Sequence, residues 1–69
     1  GRAAGWLRLS SAPAWVQTIE CADLISNTAS IARHDPKFAV VYLAEKRALL
    51  DVLTQAHPHL RAIAYGQQP

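Results

Sequence analysis

The hydrophobic pattern is clearest in the middle of the chain, where "SIARHDPKFAVVYLAEKRALL" sets a polar step, "RHDP", between two apolar runs. Asp35 followed by Pro36 reads as a helix start. An aspartate can cap exposed backbone N–H groups, and proline at the first helical position lacks only an N–H that has no partner there. Proline also drives the residue before it out of the helical region, so a preceding helix must end near His34. The pattern predicts a short helix over Ser26–His34, capped by Ser26 or Asn27, with Arg33 and His34 at the negative pole of its dipole. A long helix then runs from Pro36 to about His57, stopped by Pro58 and roughly 33 Å long at 1.5 Å per residue.

On that long helix Phe38, Val41, Tyr42, Leu49, Val52, Leu53 and Ala56 form a broad stripe, which Leu43 and Leu50 widen. Glu45 and Lys46 lie at its margins. The purely polar strip is narrow, made of Arg47, Asp51, Thr54 and Gln55, with Arg47 and Asp51 spaced to pair. A surface helix ordinarily carries an apolar stripe little over 100° wide, and this one covers nearly two sides. Phe38 and Val41 are expected to face the chain's own core. Tyr42, Leu49, Leu50 and Leu53 are expected on a second face that needs another surface, most simply a second copy. Trp6, Trp15 and Tyr65 are either packing residues of a small core, the preferred reading, or aromatic anchors for a partner, and Trp15 is the one placed with the interface candidates.

The first third is ambiguous. "WLRLS" alternates weakly and "SSAP" reads as a turn, while Trp15, Val16, Thr18 and Ile19 are strand formers. As one long helix, Trp15, Ile19, Ala22 and Ala29 would line one side, but Leu24 and Ile31 would fall on the other. Two short strands, Trp6–Ser10 and Trp15–Glu20, are therefore preferred, which makes the expected class a small α+β domain. The alternative is an all-α helical hairpin. "HLRAIAY" after Pro58 fits a last strand or helical turn, and residues 1–5 and Gly66–Pro69 are expected to be loose.

Length changes what such a pattern must do. A chain of 69 residues makes one small domain, burying only about 60% of its unfolded surface. Chains of that size usually need a disulfide, a metal or a partner. Cys21 is the single cysteine, which excludes an internal disulfide, fits a reducing, cytoplasmic setting and supplies no zinc framework. Oligomerisation or a bound partner is left, or membership of something larger, since the chain starts at Gly1 and contains no Met. Hydrophobic residues make up 51% and charged residues 17%, too apolar for a disordered tail. No apolar stretch approaches the roughly 20 residues of a membrane span. "GRAAGWLRLSSAPA" has too short and polar a centre for a signal peptide.

Candidate chemistry adds little. His34 beside Asp35 suggests a general base, but both residues are explained as helix ends and no nucleophile accompanies them. Cys21 has Glu20 and Asp23 close by, and acidic neighbours raise a thiol pKa, away from reactivity. His57 and His59, with His34, fall short of a recognisable metal spacing, and no cofactor is implied. A net charge of +2 does not by itself imply nucleic acid. A helix–break–helix reading at "RHDP" nevertheless makes Arg33, Lys37, Lys46 and Arg47 the candidate phosphate contacts of a nucleic-acid-binding alternative, although the first turn offers few base readers.

Over Thr28–Tyr65 the chain resembles a family of small proteins of actinobacteria and their phages whose function is unknown. The resemblance rests on Ile31, Ala32, Arg33, His34, Asp35 and Pro36, then Glu45, Lys46 and Arg47, and on "HLRAIAY" near the end. The chain departs from that pattern in lacking an acidic amphipathic helix near its start, and in having "AHPH" where some relatives carry cysteines. The resemblance implies a phage or actinobacterial source and short strands before a long helix, and it implies no reaction. The expected function is a non-enzymatic accessory protein that binds itself, as a homodimer, or a host or phage protein.

Overall fold

Each long element begins at a proline. In the computed structural model, which describes residues 7–69, α1 runs over Ala14–His34 behind Pro13, α2 over Pro36–Val52, and α3 over Pro58–Gly66. Residues 7–10 are also helical, and no strand occurs among the described residues. The fold is all-α, which corrects the expected α+β class and both proposed strands. Trp6 and the expected loose residues 1–5 lie outside the described residues.

The strand formers lost because the stripe that matters on α1 is partly polar. Its buried residues are Gln17, Cys21, Leu24 and Thr28, spaced 4, 3 and 4 apart. An inventory of apolar positions alone misses Gln17 and Thr28. Pro13 presets the entry, and its carbonyl accepts from the N–H groups of Val16 and Gln17 at 3.0 and 3.1 Å. Thr18 and Thr28 return their hydroxyls to the carbonyls of Ala14 and Leu24, at 2.8 and 2.6 Å. A β-branched residue lowers helix propensity by less than about 0.7 kcal/mol, which burial of the stripe outweighs. The helix therefore runs through Ser26 and Asn27, which are interior residues and not its caps.

The joint at Asp35 follows the sequence reading. The Asp35 N–H closes α1 on the Ile31 carbonyl at 2.8 Å, and its carboxylate accepts from the Phe38 N–H at 3.1 Å to open α2. Arg33 and His34 occupy the last turn of α1.

The long helix ends at Val52, five residues before the expected His57. Side chains from elsewhere take up the backbone groups that would have continued it. The Arg61 guanidinium donates from Nε and Nη2 to the Leu50 carbonyl at 3.1 and 2.9 Å. Gln17 Oε1 accepts from the Gln55 N–H at 2.9 Å, and Thr18 Oγ1 from the His57 N–H at 2.9 Å. Pro58 is thus a start as well as a stop, and His57 Nδ1 caps α3 by accepting from the His59 N–H at 3.2 Å.

α1 packs against both α2 and α3. The core consists of Cys21 and Leu24 from α1, Leu50 from α2, Leu53 and Ala56 from the connection, and Ala64 from α3. The residues after α3 are tied down, against the expectation of a loose end. Gln67 donates to the Ile25 carbonyl at 3.1 Å and accepts from Lys46 Nζ at 2.8 Å, while Gln68 donates to the Leu43 carbonyl at 2.8 Å. Cross-links from one short tail to both long helices supply the closure that a core of six residues gives only weakly.

Candidate interaction surface

Most of the expected second face is buried in the chain itself. Leu50 and Leu53 are wholly inaccessible, and Tyr42 and Leu49 are half-buried against the core. Tyr42 OH donates to the Leu24 carbonyl at 3.5 Å, and burial raises its hydroxyl pKa above the ordinary range, a shift that Thr28 moderates and Glu20 reinforces. Conversely Phe38 and Val41, expected in the core, are 48% and 52% exposed. The two faces of α2 are exchanged relative to the sequence reading. The physical reason is the buried face itself, which is Ala39, Lys46 and Leu50 and includes a lysine that no hydrophobic inventory counts.

Lys46 is 2% exposed and bonded to Gln67, and burial lowers its ammonium pKa. Of the four candidate phosphate contacts, Arg33, Lys37 and Arg47 are exposed and Lys46 is not. Asp51 accepts from Tyr65 OH, and Arg61 lies 5.1 Å from the Tyr65 ring centroid.

The exposed apolar side chains fall in two places on the long helices. Phe38, Val40 and Val41 stand within four residues on the first turns of α2, and Val40 is 72% exposed. Phe38 leans on Tyr42 with ring centroids 6.4 Å apart, an ordinary aromatic pair distance. Lys37 beside them and Arg33 at the end of α1 are exposed cations. Val40, two positions from Phe38 and so turned about 160° from it around the helix, lines a groove of about 360 Å³ with Leu43, Ala44, Arg47, Gln68 and Pro69. The second place is the outer side of α1, where Trp15 and Ile19 are exposed. Trp15 was expected at an interface from its type alone. Ile19, Val40 and the groove were not, because they become visible only once the buried faces are known.

His57 and Asp35, two of the residues that could suggest chemistry, serve as helix caps. His57 Nδ1 is the α3 cap and its ring lies 6.5 Å from that of His59. Asp35 is the α2 cap and His34 an exposed helix end. Among the described residues no group of three His, Cys, Asp or Glu stands close enough to hold a metal ion. No described helix is long and apolar enough to cross a membrane.

Cys21 is fully buried, and burial pushes its thiol pKa up, with Arg61 opposing and Glu20 adding to the shift. Between the ordinary thiol value, about 8.5, and its folded value the folded chain holds a proton that the unfolded chain releases. Stability therefore falls as pH rises through that window. Tyr42 and Tyr65 act in the same sense at higher pH, and Lys46 acts in the opposite one. Urea midpoints of the wild type are expected to fall between pH 8 and pH 10. Cys21→Ala, less stable throughout, should fall less steeply; equal slopes would remove Cys21 from this account.

No family model, no curated protein and no solved structure matches the chain.

Proposed function

We propose that this chain is a non-enzymatic protein-binding module whose recognition surface is the apolar pair Phe38 and Val41 with its flanking cations Arg33 and Lys37. The observation that carries the reading is the exposure of Phe38 and Val41, neighbours three positions apart on one side of α2, in a fold whose core is small enough to have used them. Isolated exposed apolar residues are ordinary, while a contiguous patch rimmed by charge marks a contact surface. The nucleic-acid alternative keeps Arg33, Lys37 and Arg47 but loses Lys46 to the interior. A reducing compartment suits the lone buried thiol, and a phage or actinobacterial source is the one the Ile31–Pro36 block implies.

Affinity capture from cells of the source organism, followed by mass spectrometry, tests the reading. The wild type and an exposed-site control, Thr54→Lys, are expected to retain a partner that Val41→Lys retains at least about tenfold less, the loss expected when a contact of about 1.4 kcal/mol is removed. Both variants should melt like the wild type. The same capture profile for Val41→Lys and the wild type would overturn the assignment of this patch.

A further inference from the structure

The last residues bind both long helices without entering the core. The Gln67 side chain donates to the Ile25 carbonyl of α1 at 3.1 Å and accepts from Lys46 Nζ of α2 at 2.8 Å, and the Gln68 side chain donates to the Leu43 carbonyl at 2.8 Å. Ile25 and Leu43 lie inside their helices, so both carbonyls keep a helical partner when the tail leaves. None of the core residues, and none of the half-buried apolar residues packed on them, lies beyond Tyr65.

Two effects oppose closure of this tail. Gln68 Oε1 is inaccessible and has no hydrogen-bond partner among the described residues, a state that costs free energy. Lys46 is buried with a neutral amide as its hydrogen-bond partner, and burial of an ammonium is unfavourable. A pivot is also present. Gly66 ends α3, a side chain there would meet nothing within 4 Å, and glycine leaves the backbone its widest freedom.

We propose that residues 67–69 are a detachable strap, pivoting at Gly66, that masks the Lys46 amine and the Leu43 side of α2. Gln68 and Pro69 line one groove with Val40, Leu43, Ala44 and Arg47. Release of the strap takes that wall away, uncovers Leu43, and returns Lys46 to water as a cation three positions further along the helix. The strap is an autoinhibitory contact, because α2 offers this apolar and basic face only when it opens. The inference goes beyond the Phe38 and Val41 surface and does not depend on it.

Lys37 and Lys46 are the only lysines, and Lys37 is exposed. Pulse acetylation of the full chain with acetic anhydride, read by peptide mass spectrometry, therefore reports Lys46 against an internal reference. In the wild type Lys46 is expected to label at least about tenfold more slowly than Lys37, at a rate that stays constant in urea below the unfolding transition, since opening so short a strap exposes little surface. Gln67→Ala removes both side-chain bonds of that residue. It should raise the Lys46 rate at least about tenfold, the equivalent of about 1.4 kcal/mol, and leave Lys37 unchanged. Gly66→Ala should slow Lys46 about two- to fivefold by stiffening the pivot. A Lys46 rate that climbs with urea in step with the loss of stability would mean that the amine is reached only by global unfolding, and would overturn the strap. A rate unmoved by Gln67→Ala would do the same. The urea series needs no variant, so it decides the matter even if Gln67→Ala does not fold.

Discussion

Leu50→Ala is expected to lower the free energy of unfolding by about 3 kcal/mol, within the range of about 2–5 kcal/mol seen when a buried leucine is truncated. Leu50 is wholly inaccessible and sits where the three helices meet, among Cys21, Leu24, Leu53, Ala56 and Ala64. Its neighbours cannot collapse into the space, because two of them are alanines with no side-chain reach and Leu53 is itself held in the connection. At about 0.05–0.15 kcal/mol per residue the whole chain is stable by only about 3–10 kcal/mol, so this one change removes a large part of it. Urea unfolding followed by helical circular dichroism measures the loss. Val40→Ala, at an exposed site on the same helix, is the control and should cost less than about 0.5 kcal/mol. A Leu50→Ala midpoint as close to the wild type as that of Val40→Ala would mean that the core lies elsewhere.

What was legible in the sequence was punctuation. Asp35 and Pro36 mark a helix boundary by strictly local chemistry, a cap and a fixed φ, and the boundary is where those two residues put it. Facing was not legible, because two of the largest fully buried side chains are Lys46 and Gln17. A reading that sorts residues by hydrophobicity sends Lys46 and Gln17 outward, and then has to send Phe38 and Val41 inward to fill the space. The early end of α2 was hidden for a related reason. Nothing in "LLDVLTQAH" forbids a helix; the connection is made by Gln17, Thr18 and Arg61, which are distant in sequence and take up its backbone groups. The candidate surface inherits both errors, since an exposed face is known only after the buried one.

Gln17→Met should then be nearly as damaging as the loss of Leu50, at about 2–3 kcal/mol, although it replaces a polar side chain in the core with an apolar one of similar length. Gln17 is 0% exposed and makes three hydrogen bonds to backbone on two sides of α1. Its Nε2 donates to the carbonyls of Ser10 and Ala12 at 3.2 and 3.1 Å, and its Oε1 accepts from the Gln55 N–H at 2.9 Å. Methionine satisfies none of them, and each buried group left unpaired costs about 1–3 kcal/mol. The sum is held down because Ser10 and Gln55 are exposed residues whose freed groups can reach water.

A second variant separates the hydrogen bonds from packing. Gln17→Glu keeps an acceptor for the Gln55 N–H but points a carboxylate at two carbonyl oxygens. Its folded pKa must rise above the ordinary glutamate value of about 4.3, so the folded chain holds a proton that the unfolded chain has released. Its stability therefore falls as pH rises above that value and recovers on acidification toward pH 5, when the protonated acid can donate to one carbonyl. Glu20, raised by burial and then by Asp23, adds a slope of the same sign to every variant, so the measured quantity is the difference from the wild type at each pH. Gln17→Met should hold a constant deficit between pH 7 and pH 5, and Gln17→Glu a shrinking one. A deficit for Gln17→Met below about 0.5 kcal/mol, the size of an ordinary surface change, would show that the three bonds do not hold the connection, and that α2 ends at Val52 for another reason.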